Sequence, residues 1–156
     1  MTTYAFPNHF FWGAAASGPQ TEGAEGKPHR SIWDSWHAAQ PERFYREIGP
    51  GTVCNTLHRY KEDVALMKHI GFNSFRTSIQ WSRLIDDLET GEPNAEAVRF
   101  YNAYFDEMIA NGIEPMVNLY HFDMPEGLQN RYGGFESKHV TDLFARFAAT
   151  AFRLFG

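Results

Sequence analysis

The chain has 156 residues, which is enough for one domain or for part of a larger one. Its hydrophobic content of 43% supports a core, and its net charge of -5 gives no basic footprint for nucleic acid or an anionic membrane, which favours a small-molecule ligand. Cys54 is the only cysteine, so an intrachain disulfide is excluded. With no leader-like or membrane-length apolar run, these features predict a cytoplasmic protein.

The first predicted element is a buried strand at residues 10–17. Residues 20–55 follow as a long segment rich in glycine and proline, whose aromatic side chains favour an ordered loop. From Thr56 the apolar spacing becomes helical, and Gly71 is a natural end for this helix. The predicted apolar stripe consists of Leu57, Tyr60, Val64, Met67 and Ile70.

A second strand is predicted at residues 74–81, although its apolar content is unusually low. Asn94 is a candidate N-cap for a second helix that ends at residues 111–112 and has one apolar stripe. The third strand starts at Glu114 and is expected to be covered on both faces because Met116, Val117 and Leu119 are apolar. Ser137 can cap a third helix after a glycine-rich loop. The stripes of these helices are Val98, Tyr101, Phe105 and Met108, and Val140, Phe144, Phe147, Ala151 and Leu154.

This order of strands and helices predicts an α/β fold with a parallel sheet. Two architectures are open, a small doubly wound sheet and the first three βα units of a TIM (β/α)₈ barrel. Three strands are few for a doubly wound sheet and would leave an edge exposed. The barrel segment is therefore favoured.

Ligands of parallel α/β folds bind at the carboxyl ends of strands, so His121, directly after the third strand, is the first candidate. His121 and Asp123 do not form a metal site with any evident third ligand, and no metal or nucleotide motif is present. Glu22 and Asp123 are the carboxylates nearest the expected ligand face. Catalysis is the less favoured role for both: Asp123 is expected to cap the backbone of the turn that follows it, and Glu22 to bond within its glycine-bounded loop.

Two further interpretations concern polar side chains. Arg76 is a cation in a strand expected to be buried, so it should meet a carboxylate or a ligand, and a structural salt bridge is equally open. Gln20 and His121 both donate and accept hydrogen bonds, which suits vicinal hydroxyls, although such residues are more often satisfied core groups.

Several segments carry a resemblance to a known family. They are FWGAAAS with Gln20 and Glu22-Gly23, SIWD at 31–34, YKED at 60–63, FRTSIQWSR at 75–83 and LYHFDMP at 119–125. In this order they resemble glycoside hydrolase family 1, which contains β-glucosidases and 6-phospho-β-glucosidases.

The resemblance implies a (β/α)₈ barrel that hydrolyses β-glycosides with retention and needs no cofactor or metal. By motif match, Gln20 and His121 would bind glycone hydroxyls, and Arg76 would support the nucleophile. Both catalytic glutamates of the family lie after later strands. Residues 1–156 would therefore be the amino-terminal segment of a single glycosidase domain, without a catalytic residue, inactive alone and requiring the remainder of the barrel.

Substrate preference is a finer expectation. Phe122 and Met124 resemble the 6-phospho-β-glucosidases, which predicts a phosphorylated β-glucoside as substrate. A β-glucosidase acting on unphosphorylated substrates and a noncatalytic barrel fragment remain the alternatives.

Overall fold

The structure is a computed structural model that describes residues 3–51 and 53–156. Its strands are β1 (Gly13–Ala15), β2 (Ser74–Ser78), β3 (Ile85–Asp87), β4 (Glu92–Pro93) and β5 (Glu114–Asn118). Its α-helices are α1 (Gly18–Thr21), α2 (Ile32–Ala39), α3 (Thr56–His69), α4 (Trp81–Leu84), α5 (Ala95–Ala110), α6 (Glu126–Tyr132) and α7 (Lys138–Phe155). Short 3₁₀ turns occupy Pro41–Arg43, Tyr45–Glu47 and Gly134–Glu136.

The main sheet has three strands in the order β1-β2-β5, and both pairs are parallel, as predicted. Ala15 lies opposite Arg76 in the first pair, and Arg76 lies opposite Met116 in the second. Strands β3 and β4 form a separate antiparallel pair in the connection to α5. Because β2 is central, its side chains lie between those of β1 and β5.

The two long helices that precede β2 and β5 end in the same way. Gly71 after α3 and Gly112 after α5 have φ angles of 87° and 75°. In both cases this glycine and the next residue donate to carbonyls of the last helical turn, which is a Schellman motif. The chain therefore leaves each helix sharply and enters the next strand within two or three residues.

The core lies between the sheet and the helices α3, α5 and α7. The predicted apolar stripes of these helices supply most of it, and Asn94 caps α5 by accepting from the Ala97 amide, as predicted. Ile70 is the exception, because it lies at the end of α3 and is 62% exposed. Fully buried core members include Val64, Ile79, Trp81, Leu84, Tyr101, Met108 and Phe147.

The structure corrects the expected burial of two strands. Met116 and Val117 of β5 are 37% and 38% exposed, and all of β1 is exposed. These exposures show that the two strands are not covered on both faces, contrary to the prediction from apolar composition. Both strands also lie at sheet edges and are paired on one side only.

Element limits also differ from the predictions. The second strand ends at Ser78, and Trp81 begins α4 instead of continuing the strand. The segment predicted as a loop at 20–55 contains α2, which begins with a capping box between Ser31 and Asp34. Helix α6 was not predicted. Within the described residues, no helix has both the length and the apolar character needed to cross a membrane.

Candidate active site

Gln20 is positioned by the short helix α1, which follows the carboxyl end of β1. Its start is held to the neighbouring strand because the Gly18 amide donates to the Ser78 hydroxyl at 2.9 Å. Glycine is required there, since a Cβ atom at position 18 would lie 2.4 Å from Cγ of Gln80. The turn therefore packs tightly on β2 and directs residues 19 and 20 outward.

The amide of Gln20 is oriented by a neighbouring serine. The buried hydroxyl of Ser17 donates to Oε1 of Gln20 at 2.7 Å. Ser17 is itself in extended backbone before α1, with φ of -151°. This hydrogen bond fixes which side of the amide faces the protein.

His121 follows β5 in a tight turn. Phe122, the next residue, has a φ of 62°, which is uncommon for a residue with a large side chain. The turn is stabilised by Asp123, whose Oδ1 accepts from the His121 amide at 3.0 Å. Oδ2 of the same carboxylate accepts from the Trp81 amide at 2.9 Å, which ties the turn to the start of α4.

Arg76 bridges the two edge strands. Its Nη1 donates to the Ala16 carbonyl at 2.9 Å and lies 3.4 Å from Nδ1 of His121. Nδ2 of Asn118, the last residue of β5, lies 3.3 Å from the same ring nitrogen. Burial and the Arg76 charge lower the pKa of His121, which favours its neutral ring. No ion pair involves Arg76 in the described part of the chain, so the salt-bridge alternative is not observed.

Gln20 and His121 line one cavity of about 490 Å³ at the carboxyl ends of β1 and β5. Its opposite side is apolar and aromatic. Among the described residues, the lining consists of Ser17, Pro19, Gln20, Trp33, Phe44, Ile48, Gly49, Pro50, Val53, His121 and Phe122. A polar edge facing an apolar wall suits a ligand with hydroxyl groups on one side and C–H or aromatic surface on the other.

Glu22 is buried in a polar network instead of facing this cavity. Its Oε2 accepts from Nε2 of Gln80 at 2.6 Å and from Nε of Arg83 at 2.7 Å, and Tyr101 donates at 3.1 Å. Burial raises the pKa of Glu22, and Arg83 opposes this effect. The predicted bonding of Glu22 within its own loop is therefore wrong. Its partners are the N-cap residue of α4, a residue within α4 and a residue of α5.

Asp123 is also fully buried, and burial raises the pKa of its carboxyl to about 6. The prediction that Asp123 caps the turn that follows it is wrong. Its carboxylate instead accepts from the amide of His121, which precedes it, and from the Trp81 amide at the start of α4. Neither Glu22 nor Asp123 lines the cavity. Both carboxylates act here as hydrogen-bond acceptors, Asp123 from backbone amides and Glu22 from side chains.

The structure thus places Gln20 and His121, 101 positions apart in sequence, in one cavity, with Arg76 beside His121. Sequence reasoning assigned no role to Ser17, Trp33 or Asn118. The signals were weak: a serine three residues before Gln20 and an asparagine three residues before His121. Among the described residues, no group of three His, Cys, Asp or Glu side chains is arranged to hold a metal ion.

Comparisons with known proteins agree with this architecture. The family model described as Glycosyl hydrolase family 1 matches residues 2–156. The chain is 50% identical over 155 residues to 6-phospho-beta-glucosidase GmuD of Bacillus subtilis, covering 98% of this chain and 33% of that protein. It is 40% identical to Beta-glucosidase 24 of Oryza sativa, covering 97% of this chain and 31% of that protein.

Solved structures give the same result. A GH1 beta-glucosidase from the fungus Humicola insolens, in complex with glucose, superposes with a TM-score of 0.89 at 35% identity, covering 97% of this chain and 32% of that one. An aphid myrosinase superposes with a TM-score of 0.89 at 32% identity, covering 97% and 33%. The chain spans about a third of the length of these relatives. On these matches, the chain belongs to glycosyl hydrolase family 1.

Proposed function

We propose that this chain supplies part of the glycone site of a retaining β-glycoside hydrolase that acts on phosphorylated β-glucosides. The observation that carries the proposal is that Gln20 and His121 line one cavity at the carboxyl ends of parallel strands. The three-stranded sheet would be the first three strands of a (β/α)₈ barrel, with residues 1–156 as one segment of a single glycosidase domain.

In this proposal the residues of the chain bind and orient the substrate. Gln20 and His121 hold hydroxyl groups of the glycone, and the apolar wall with Trp33 packs against C–H surface of the ligand. Arg76 lies beside His121, where its charge would keep a nearby carboxylate nucleophile ionised. Hydrolysis with retention needs two carboxyl groups about 5–5.5 Å apart. Glu22 and Asp123 are both engaged with protein donors, so the catalytic pair is assigned to other segments of the barrel.

The phosphorylated substrate is supported by the 50% identity to a protein named as a 6-phospho-beta-glucosidase. Proteins named as beta-glucosidases match at 40% to 43% identity and favour an unphosphorylated substrate as the second candidate. The third candidate is a noncatalytic sugar-binding role for the chain by itself, which the burial of both nearby carboxylates favours.

A chimeric enzyme tests these candidates. The chain would be joined to the part of the Bacillus subtilis relative that follows the matched segment, and assayed on p-nitrophenyl β-D-glucoside and its 6-phosphate. We expect hydrolysis with retention and a preference for the 6-phosphate. A preference for the plain glucoside would favour the second candidate, and a correctly folded but inactive chimera would contradict the proposal.

Two substitutions test the site within that chimera. We expect Gln20→Ala and His121→Ala to lower kcat/KM by about 10- to 100-fold each, because each removes hydrogen bonds to a ligand hydroxyl. Gln129→Ala and His69→Ala, exposed and outside the cavity, are matched controls and should leave kcat/KM unchanged. Equal losses in the site variants and the controls would count against the assignment.

A further inference from the structure

A second cavity, of about 180 Å³, is separate from the one lined by Gln20 and His121. Among the described residues none lines both cavities, although Gln20 and Thr21, which are consecutive in α1, each line one of them. Apolar side chains of α3 and β2 form part of the wall of this second cavity, namely Leu66, Met67 and Phe75. The polar part of the wall consists of Thr21, Cys54, Thr56, Asp63 and Tyr104.

Tyr104 brings an unpaired hydroxyl to this cavity. The residue lies on α5, is 3% exposed, and its ring stacks on Phe100 with centroids 5.8 Å apart. Its hydroxyl has no hydrogen-bond partner among the described residues. It is nevertheless not one of the fully enclosed atoms that lack a partner, which are Oε1 of Gln80, Oγ of Ser82 and Oδ1 of Asn118. The hydroxyl therefore keeps accessible surface, and the cavity is the space that it faces.

The cavity carries a negative charge. Oδ2 of Asp63 accepts from the Thr56 hydroxyl at 3.0 Å, and in the part of the chain that the structure describes this carboxylate forms no ion pair. Arg59, on the same helix, pairs with Glu62 instead, at 2.7 Å. A carboxylate beside an unpaired hydroxyl favours a cationic ligand that donates hydrogen bonds.

The pKa of Tyr104 reports the same electrostatic field. Burial and the charges of Glu22 and Asp63 raise the pKa of this phenol, so it stays protonated. Its neutral oxygen is available to accept a hydrogen bond from a ligand.

Cys54 is exposed and lines the same cavity. We propose that the cavity is a modification site, at which Cys54 forms mixed disulfides with small aminothiols whose ammonium group binds Asp63 and the Tyr104 oxygen. An ammonium group has three donors, which is enough for both oxygens, and the apolar wall packs against the CH₂ groups. This site is independent of the proposed function.

The chemical step is thiol–disulfide exchange with a low-molecular-weight disulfide. The Cys54 thiol releases its proton to solvent, and the thiolate attacks one sulfur of the reagent, whose S–S bond breaks. A new S–S bond joins Cys54 to one half of the reagent, and the other half leaves as a thiolate that takes up a proton. Cys54 is thereby oxidised, and the departing aminothiol is reduced.

The preference for a cation is measured with three disulfides of similar size: cationic cystamine, neutral 2-hydroxyethyl disulfide and anionic 3,3′-dithiodipropionate. Because Cys54 is the only cysteine, the intact mass of the chain reports the adduct. Dividing each rate for the native chain by the rate for the urea-unfolded chain cancels the intrinsic reactivity of the reagent. We expect this ratio to be about 3- to 30-fold higher for cystamine than for dithiodipropionate, and the difference to shrink in about 1 M salt. Equal ratios for the three disulfides would overturn the proposal without any variant.

Three variants locate the charge. Asp63→Asn keeps an oxygen for Thr56 but removes the charge, so the preference for cystamine should disappear. Glu62→Gln, at an exposed carboxylate of the same helix outside the cavity, is the matched control and should keep the preference. Tyr104→Phe should lower the ratio for cystamine by about 2- to 10-fold, because the ammonium loses one acceptor. A preference that survives Asp63→Asn, or that Glu62→Gln removes equally, would reflect general surface charge and would contradict the proposal.

Discussion

Asp123 connects the geometry of the site to pH. Its pKa is raised by burial from 3.8 to about 6. The native state therefore binds this proton more tightly than the unfolded chain, so the group adds stability below pH 4 that is lost as pH rises through about 6. The contribution is about 3 kcal/mol at most, since one pKa unit corresponds to about 1.4 kcal/mol.

Urea unfolding of the wild type and Asp123→Asn isolates this effect. We expect the difference in free energy of unfolding to shift in favour of the wild type as pH falls from 7 to 4, because the other carboxyl groups are common to both proteins. A difference that stays constant over this range would show that Asp123 titrates normally.

For Glu22 we predict an effect on stability alone. Its carboxylate is paired with the buried Arg83, which also donates to the Gly23 and Glu25 carbonyls. Glu22→Gln leaves the Arg83 charge unpaired and should destabilise the chain by about 3–5 kcal/mol, measured by chemical denaturation. Glu25→Gln, at an exposed carboxylate, should change stability by less than about 0.5 kcal/mol. Similar small effects for both would contradict the role given to the network.

At the residue scale, motif and position led to Gln20 and His121, because both follow strands and strand ends of parallel sheets converge. The partners of Glu22 and Asp123 could not be predicted. Gln80, Arg83 and Tyr101 reach Glu22 from 58 to 79 positions away, and no local pattern in the sequence encodes such contacts.

At the scale of elements, the glycine that ends α3 has a testable role. Gly71 has a φ of 87° and open space around the position of a Cβ atom, so Gly71→Ala suffers backbone strain without a clash. We expect a loss of about 1–2 kcal/mol. Gly127, inside α6 and also in open space, has ordinary helical backbone, so Gly127→Ala should stabilise by about 0.5–1 kcal/mol. Thermal or urea unfolding should show a lower free energy of unfolding for Gly71→Ala and a higher one for Gly127→Ala. Changes of the same sign in both variants would refute the backbone argument.

The long helices were predictable because their apolar stripes repeat over three or more turns and end at glycines. Helix α2 was not, since its eight residues have no buried member and it begins inside a glycine- and proline-rich segment. Its one local signal was the pair of Ser31 and Asp34, which forms the capping box. The edge strands were assigned the wrong burial because apolar composition does not indicate whether both faces are covered.

At the scale of the whole molecule, an apolar cleft of about 270 Å³ lies beside β5 and is lined by residues of β5, α5 and α7. Several of its lining side chains are exposed, among them Val117 at 38% and Phe152 at 69%. Exposed contiguous apolar surface of this kind marks a surface that another element covers. The chain covers about a third of its relatives, and we propose that the segment corresponding to their remainder covers this cleft.

Complementation tests this assignment without covalent linkage. The chain would be mixed with the separately produced remainder of the Bacillus subtilis relative, and binding measured by calorimetry alongside recovery of glycosidase activity. We expect association, and we expect Val117→Lys or Phe152→Lys to weaken it by about 10- to 100-fold, because each places a charge against apolar surface. Asn102→Lys, on the exposed side of α5 and outside the cleft, is the control and should bind like the wild type. If the lysine variants in the cleft bound as tightly as this control, the remainder would have to dock elsewhere, and the proposed continuation of the barrel from β5 would fail.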